Sequence, residues 1–398
     1  MYRNSYIEIN LDNLKNNAKN IISHYSNYKY YIGVVKSNCY GHGSYSVNAL
    51  IESGINYLAV SNLLEAKNIR RINQTIPILC LEPINLKYLE EASKLNVTFT
   101  ISNLDYLKKF IEVNNNKNTK IHIKINTGMN RLGINNKKEF NTAYKLINNN
   151  YILEGIFSHF HTIGYLDKEY ENQIKKFKEI TEDINLFKIP IIHLSKSSTV
   201  VNQKPIEFCN AIRIGAILYG IDVSIIKPNS IIKRLIHNFK IKHFKISTLS
   251  NSIKPQLKSS LSLYSEIIDI QKVVSGDYIG YGLGCKVKEA TYIGVVCLGH
   301  CDGLHVNDSD RFVYINDKKY KLFGKINSNM ATVIIDDTVK IGDSVCFYSE
   351  KIDTNKIARS CNTSVYNLYG LLHESLPRIY VKNKVEVYRE IWEIKNGI

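Results

Sequence analysis

Residues 30–43 read YYIGVVKSNCYGHG, and this stretch decides the fold that we predict for the chain. Its first half is apolar and rich in β-branched residues, which is typical of a strand buried on both faces. The run ends at Lys36 and gives way to small polar residues and a Gly-His-Gly turn. Barrel enzymes keep catalytic groups at this end of their strands, so Lys36 is a candidate nucleophile. A surface lysine that merely ends a strand is the alternative that spacing alone leaves open.

The first 225 or so residues alternate between short apolar runs and amphipathic segments. The apolar runs occupy residues 30–36, 57–60, 76–81, 97–101, 120–125, 152–157, 190–194 and 211–214. Helical periodicity appears between them, for example at residues 63–71, 137–148 and 168–183. Eight strands that alternate with helices predict an α/β fold, a (β/α)8 barrel.

The pattern changes after residue 220. From residue 240 onward the chain shows longer alternating runs, such as LSLYSEI at 261–267, which glycines interrupt. These features predict a second, mainly antiparallel β domain. We place the barrel at residues 1–235 and the β domain at residues 236–398, with the boundary region at 224–238. A chain of 398 residues with 44% hydrophobic content is long enough for two cores.

Composition excludes several classes of protein. No apolar run is long enough to span a membrane and the N-terminus lacks a signal-peptide core, so we expect a cytoplasmic protein with no membrane partner. The eight cysteines show neither CxxC pairs nor metal-ligand spacing, which indicates reduced thiols and no metal site. The formal charge of +16 is spread along the chain without a nucleic-acid-binding motif, so we expect no nucleic-acid partner. The positive field suits an anionic cofactor.

The segment VVKSNCYGHG resembles the pyridoxal-phosphate attachment segment of the alanine racemase family, VVKANAYGHG, and the opening YIEINLDNLKNN is also similar to that family. The resemblance implies a pyridoxal 5'-phosphate cofactor attached to Lys36. Residues 211–220, AIRIGAILYG, resemble the family segment VRPGIALYG. They imply that Arg213 faces the pyridine nitrogen and that the amides of Gly215 and Ala216 hold the phosphate. A guanidinium keeps its proton and leaves the ring a weaker electron sink, which suits exchange of one α-proton.

Further matches complete the cofactor site that the resemblance implies. Ser197 aligns with a phosphate-binding serine, in the loop after the seventh strand where barrels commonly bind phosphate. Tyr40 and Tyr366 match two tyrosines that contact the phosphate, although a tyrosine packed at a domain interface is the default for either one alone. His159 looks like the family histidine that links Arg213 to a catalytic tyrosine.

That tyrosine corresponds to Tyr281, because residues 276–282, GDYIGYG, resemble the family motif GDxVSYG. Racemisation requires proton removal on one face and delivery on the other, so a second base opposite Lys36 solves the geometry. A phenol is a poor base at neutral pH unless nearby positive charge favours its phenolate. In the family the partner subunit supplies this tyrosine, which implies a homodimer with shared active sites.

The resemblance is less regular at the positions that would face the substrate. Residues 124–133, KINTGMNRLG, resemble KVDTGMxRLG, which implies that Arg131 contacts the substrate carboxylate and that Lys124 is a possible carbamylated lysine. Ser328 stands where the family has a substrate-contacting methionine. Four more positions depart from the family pattern: Asn126, Lys196, His300 and Asn329. Altered polar groups in a pocket change which side chain is accepted, while family drift with unchanged specificity stays open.

The sequence therefore predicts a pyridoxal-phosphate amino-acid racemase that interconverts L- and D-alanine or a related small amino acid. One alternative is a racemase of another amino acid, such as serine. A decarboxylase of the same fold should lack the Tyr281 motif and carry an acidic residue in place of Arg213. A non-catalytic pyridoxal-phosphate-binding protein would typically lack the β domain.

Overall fold

The structure is a computed structural model, and it describes residues 3–164, 167–223, 255–283, 285–305 and 312–391, with single positions between 232 and 242. A first strand and helix, β1 (Tyr6–Asn10) and Leu11–His24, precede the barrel. The barrel strands are β2 (Tyr30–Val34), β3 (Tyr57–Val60), β4 (Ile78–Cys80), β5 (Val97–Ile101), β6 (Lys120–Lys124), β7 (Ile152–Phe157), β8 (Ile191–His193) and β9 (Ala211–Ile214). All adjacent pairs in this sheet are parallel, in the order β8-β7-β6-β5-β4-β3-β2-β9. The predicted (β/α)8 barrel is confirmed.

The barrel nearly closes between β8 and β9. The backbone amide of Arg213 donates to the carbonyl of Ser195 at 3.2 Å, and the Asn210 side chain accepts from the amide of Ile192 at 2.9 Å. Strands β3, β4, β5, β8 and β9 are buried along their whole length, which is why they appear in the sequence as continuous apolar runs.

Helices cover the outside of the barrel at Ser46–Ile51, Leu63–Arg70, Leu89–Lys94, Leu104–Val113, Lys137–Asn150, Glu169–Ile180 and Ser197–Asn202, with 3-10 turns at Leu86–Tyr88, Leu186–Lys188 and Ala216–Tyr219. Asparagine side chains cap the N-termini of several helices by accepting a backbone N–H, as Asn62 does for Leu63–Arg70. Such a cap contributes about 1 kcal/mol to helix stability. The apolar residues of these helices recur with helical periodicity and lie on one face, and this face packs on the barrel.

The second sheet holds β1 and eight later strands: β10 (Leu261–Val273), β11 (Thr291–Val296), β12 (Phe312–Ile315), β13 (Lys318–Lys321), β14 (Ala331–Ile335), β15 (Ser344–Tyr348), β16 (Arg378–Lys382) and β17 (Val385–Glu390). It is mainly antiparallel, as predicted, with one parallel pair between β1 and β16. Short helices at Thr354–Ser360 and Val365–Gly370 and a 3-10 turn at His300–Asp302 complete this region.

The first strand, β1, lies outside the barrel sheet. Residues 1–235 were expected to form the barrel, yet β1 pairs with β10 and β16 of the other sheet. The reason lies in its burial, which alternates along the strand, whereas a barrel strand is buried on both faces. The predicted boundary between residues 235 and 236 lies in the segment 224–254, most of which is outside the described residues, and stays a prediction.

Among the described residues, no helix combines the length and the apolar composition that crossing a membrane requires. All eight cysteines are free thiols.

Candidate active site

A cavity of about 600 Å³ opens at the C-terminal ends of the barrel strands. It gathers most of the predicted site residues, which line it together: Lys36, Tyr40, Lys124, Arg131, His159, Ser197, Arg213, Gly215, Ala216 and Tyr366. They come from the ends of β2, β6, β7, β8 and β9 and from the helix Val365–Gly370. Parallel strands end on the same side of a barrel, so residues distant in sequence converge here.

Two predicted residues do not line this cavity. Tyr281 lies in the β domain and is 74% exposed. Ser328 is also exposed, and its hydroxyl lies 3.4 Å from Nε2 of His300. The link from His159 to Tyr281 is therefore not made within one chain, whereas the link from His159 to Arg213 is made.

The turn after Lys36 is left-handed. Ser37, Asn38, Cys39 and Tyr40 all have φ between 51° and 54°, a conformation that costs roughly 1–2 kcal/mol per L-residue. Strain of this kind persists where surrounding contacts enforce it. Glu65 supplies one such contact, because its carboxylate accepts the backbone N–H of Ser37 at 2.7 Å.

The buried His42 supplies a second contact. Its Nδ1 lies 3.1 Å from the carbonyl of Cys39 and 3.0 Å from that of Tyr40, so Nδ1 carries the proton and donates. Nε2 then accepts from the hydroxyl of Ser260, at 2.9 Å. Burial lowers the pKa of His42 to about 3, so the ring is neutral. His42 thus joins the turn to the first residues of the β domain.

One end of the cavity gathers three hydroxyl groups, those of Ser197, Tyr40 and Tyr366. The hydroxyl of Ser197 accepts the backbone N–H of Gly215 at 3.0 Å, and the rings of Tyr40 and Tyr366 lie 5.8 Å apart beside them. Burial raises the pKa of both phenols, that of Tyr366 to about 12, so both remain hydrogen-bond donors. A Cβ atom on Gly215 would lie 2.9 Å from the Tyr40 hydroxyl, so glycine leaves the space that this hydroxyl needs.

Arg213 projects from β9 and is 3% exposed. Its guanidinium donates to the carbonyls of Ser158 at 2.7 Å, His193 at 2.8 Å and Leu194 at 3.1 Å. It also donates to Nδ1 of His159 at 3.2 Å, so the remaining proton of that neutral imidazole is on Nε2. Burial, followed by the charge of Arg213, lowers the pKa of His159 to about 2.

The cavity is strongly cationic. Lys36, Lys124, Lys196, Arg131 and Arg213 line it, and none of the described residues that line it is acidic. Burial, with Arg131 and Arg213, lowers the pKa of Lys124 from 10.5 to about 8, and burial, with the same two arginines, lowers the pKa of Lys196. Such a lining favours ligands with several negative charges.

The ring of Phe157 forms an apolar wall beneath two of these cations. The ammonium of Lys124 lies 5.5 Å from the ring centroid and the guanidinium carbon of Arg213 lies 5.4 Å from it. Cation–π attraction of this kind offsets part of the cost of burying the charges.

A larger cavity, of about 730 Å³, lies on the other side of the turn after Lys36. Glu65, Glu374 and Glu390 line it, together with Arg71 and Arg378. None of the predicted site residues lines it. Its carboxylates make it a poor site for a phosphate, so the smaller cavity is the candidate active site.

Sequence reasoning missed a set of buried polar residues below the cavity. The predicted site includes none of these four residues: His122, Glu154, His193 and Glu65. The available signal was a histidine in the apolar run 120–125 and a glutamate in 152–157, since polar residues in buried strands require partners.

Among the residues that the structure describes, no group of three or more His, Cys, Asp or Glu side chains is arranged to hold a metal ion.

Comparison with known proteins identifies the family. The family model "Alanine racemase, N-terminal domain" matches residues 9–223, and "Alanine racemase, C-terminal domain" matches residues 260–380. The chain is 32% identical to an alanine racemase of Borreliella burgdorferi, over 92% of this chain and 95% of that protein, and 31% identical to one of Clostridium novyi, over 99% and 98%. A solved alanine racemase of Clostridium difficile 630 superimposes with a TM-score of 0.85 at 26% identity, covering 98% of this chain and 99% of the other. This chain belongs to the alanine racemase family.

Proposed function

We propose that this protein is an amino-acid racemase that interconverts L- and D-alanine with pyridoxal 5'-phosphate. The observation that carries the proposal is the cavity at the strand ends, where Lys36 faces a cationic lining with no acidic side chain among the described residues. Membership of the alanine racemase family over both of its domains supports the same activity.

The residues present fit the cofactor. The hydroxyls of Ser197, Tyr40 and Tyr366 and the backbone amide of Ala216 would hold a phosphate, whereas the predicted amide of Gly215 already donates to the Ser197 hydroxyl. The space next to Gly215 would be filled by any Cβ atom. Arg213 can donate to a ring nitrogen but cannot protonate it, because guanidinium retains its proton. The neighbouring charges of Lys124 and Lys196 suit the anionic groups of the same molecule.

Lys36 would hold the cofactor and then act as one proton-transfer group. Pyridoxal phosphate supplies an electron sink that makes the α-hydrogen of a bound amino acid acidic. The amine of Lys36 takes or returns this proton on its own face of the site. The left-handed turn, held by Glu65 and His42, keeps the lysine in place during the exchange.

Tyr281 would be the second proton-transfer group, supplied by the partner subunit of a homodimer. Within one chain its ring is exposed and outside the cavity, while Nε2 of His159 carries a proton and has no hydrogen-bond partner among the described residues. The phenolic oxygen of the partner's Tyr281 would accept a hydrogen bond from this N–H, and Arg213 adds positive charge behind His159. Both features favour the phenolate and thus its function as a base.

Lys124 and Arg131 would serve the substrate side. Arg131 is exposed at the cavity and no described carboxylate forms an ion pair with it, so its guanidinium is available for a substrate carboxylate. The lowered pKa of Lys124 raises the fraction of neutral amine, which is the form that reacts with carbon dioxide to give a carbamate. A carbamate on Lys124 would place a negative group next to Arg131.

The test is α-hydrogen exchange in deuterated water with the purified protein and pyridoxal phosphate, across a panel that includes both enantiomers of alanine and serine. We expect exchange and racemisation to be fastest with alanine. Faster turnover of serine than of alanine would indicate a serine racemase. His300 and Ser328 would then be the polar substitutions that account for the change of substrate. Loss of carbon dioxide instead of exchange would indicate a decarboxylase, and cofactor binding without exchange of any amino acid would contradict the proposal.

A further inference from the structure

A chain of polar side chains runs through the interior of the barrel from Arg213 to Glu154. Nη1 of Arg213 contacts Nδ1 of His193 at 2.5 Å, and Nε2 of His193 contacts Nδ1 of His122 at 2.9 Å. Nε2 of His122 then lies 3.3 Å from Oε2 of Glu154. Both histidines are 0% exposed, so no solvent competes with these contacts.

The hydrogen bonds in this series of side chains can run in only one direction. Arginine only donates, so Nδ1 of His193 accepts and the proton of that neutral ring is on Nε2. His193 therefore donates to Nδ1 of His122, whose own proton must be on Nε2. This N–H lies 3.3 Å from Oε2 of Glu154 without the alignment of a hydrogen bond, so the carboxylate acts on it through its charge. Burial lowers the pKa of both imidazoles, which are neutral, and a neutral ring has a single proton to place.

Glu154 is fixed as an ionised acceptor at the far end. Tyr57 and Thr98 donate hydroxyl protons to Oε2 at 2.7 Å and 2.9 Å, and the ammonium of Lys120 lies 2.9 Å from Oε1. Burial by itself raises the pKa of Glu154, but contacts with His122, Tyr57 and Lys120 lower it below its ordinary value overall. A carboxylate with only donors around it can accept from His122 but cannot donate to it.

The strands are shaped to hold this arrangement. His122 and Gly155 are paired across β6 and β7, and a Cβ atom on Gly155 would lie 2.6 Å from the His122 ring. The glycine therefore leaves the space that the imidazole occupies. The ring of His193 stacks on Phe157 at 4.8 Å with an interplanar angle of 6°, which fixes its plane.

We propose that Glu154 is a positioning residue for the reaction, because its carboxylate, 3.3 Å from Nε2 of His122, favours the same tautomers of His122 and His193 that Arg213 requires and thereby supports the orientation of the guanidinium. With the reverse tautomers, an N–H of His193 would point at an N–H of Arg213, and the guanidinium would have to move. Glu154 lies at the opposite end of the chain of contacts from the cavity and acts only through the two histidines.

Glu154→Gln tests the inference without a change of shape. Lys120 only donates, so the amide oxygen will face Lys120 and the NH₂ group will face Tyr57, Thr98 and His122. The hydroxyls can rotate to accept, but a proton on Nε2 of His122 would then face an NH₂ group, which favours the reverse of both tautomers. Tyr57→Phe is the matched control, because it removes one hydrogen bond from the same carboxylate oxygen and leaves the carboxylate in place.

The primary measurement is ¹⁵N NMR of the histidine rings in the cofactor-free protein, which reports tautomers without any reaction. The chain has 11 histidines, so His122→Gln and His193→Gln variants assign the two signals. We expect protons on Nε2 at both rings in the parent and in Tyr57→Phe, and on Nδ1 at both in Glu154→Gln. Protons on Nδ1 in the parent would overturn the inference even if Glu154→Gln did not fold, and unchanged tautomers in a folded Glu154→Gln would also overturn it.

Kinetics supply the second measurement, and this part rests on the proposed function. Glu154→Gln should lower kcat by about 10-fold or more, the usual effect of losing a group that orients a reacting residue, with the KM for alanine nearly unchanged. Tyr57→Phe should stay close to the parent. Lack of racemase activity in the parent would contradict the proposed function alone, because the tautomers are measured separately. Normal kcat in a Glu154→Gln protein with reversed tautomers would contradict the positioning role alone.

Discussion

The carboxylate of Glu65 accepts a 2.7 Å hydrogen bond from the backbone amide of Ser37, the residue that follows Lys36. Its other oxygen accepts the amide of Ser61, also at 2.7 Å. One side chain from a neighbouring helix thus ties the left-handed turn to the end of β3. The position of Lys36 depends on this contact because the turn itself is strained.

Glu65→Gln should therefore disturb the turn. The amide can accept only one of the two N–H groups and directs its NH₂ at the other, so we expect the free energy of unfolding to fall by about 1–2 kcal/mol. The value of kcat should fall more than KM changes, because Lys36 is displaced. Chemical denaturation and steady-state kinetics measure the two effects.

Glu91→Gln is the matched control for this variant. Glu91 forms an exposed ion pair with Lys67, 2.7 Å long, and its loss should cost no more than about 0.5 kcal/mol. Equal effects of the two substitutions would show that Glu65 has no special role in holding the turn.

Gly215→Ala should weaken cofactor binding. The added methyl group would lie 2.9–3.2 Å from the hydroxyl and ring of Tyr40, so Tyr40 must move away from the phosphate end of the cavity. We expect the Kd of the cofactor-free protein for pyridoxal phosphate to rise about 10-fold, equivalent to about 1.4 kcal/mol. Equilibrium dialysis measures this Kd directly. Gly370→Ala provides the control at the same cavity, because its Cβ would meet nothing within 4 Å, and similar losses in both variants would contradict the steric explanation.

Lys124→Met should stabilise the protein in a pH-dependent way. The pKa of Lys124 is about 8 in the folded chain and 10.5 ordinarily, so folding is penalised below pH 8, where both states are protonated. The penalty declines between pH 8 and 10.5 and is absent above that range. Removing the amine should add up to roughly 3 kcal/mol at pH 7, and progressively less as the pH rises through this window.

Denaturation curves of Lys124→Met and the parent between pH 6 and 11, in the absence of bicarbonate, measure this effect. Bicarbonate should reduce the difference if a carbamate forms, since the parent then gains a group that pairs with the neighbouring arginine. A stability gain that grew with pH would contradict the assigned direction of the pKa shift.

Mixing two inactive variants should restore activity. Lys36→Ala lacks the attachment amine and Tyr281→Phe lacks the second base, so each homodimer should be nearly inactive. If Tyr281 acts on the partner's cavity, random exchange of subunits produces mixed dimers with one intact site, and about one quarter of the parent activity should return. No recovery after confirmed subunit exchange would indicate that Tyr281 does not act across the interface. A Lys36→Ala/Tyr281→Phe double variant, mixed with the parent, controls for dilution.

Much of the fold followed from local sequence. The buried parallel strands appear as apolar runs and the amphipathic segments lie between them, so the eight-stranded barrel could be counted before any coordinates were known. The strand ends at Tyr57–Val60, Val97–Ile101, Ile152–Phe157 and Ala211–Ile214 agree with the predicted runs. The partners of β1 could not be predicted, because they lie more than 250 residues away and nothing local reveals them.

The sequence by itself determined the barrel, the β domain and the identity of the residues around Lys36, because strand periodicity and short motifs are properties of neighbouring residues. The tertiary structure alone decided which side chains meet: Glu65 with Ser37, Tyr40 with Gly215, and the directional chain from Arg213 through His193 and His122 to Glu154. Such contacts join helices, turns and strands that are separated in the chain. They depend on the register and closure of the barrel, which no local pattern encodes.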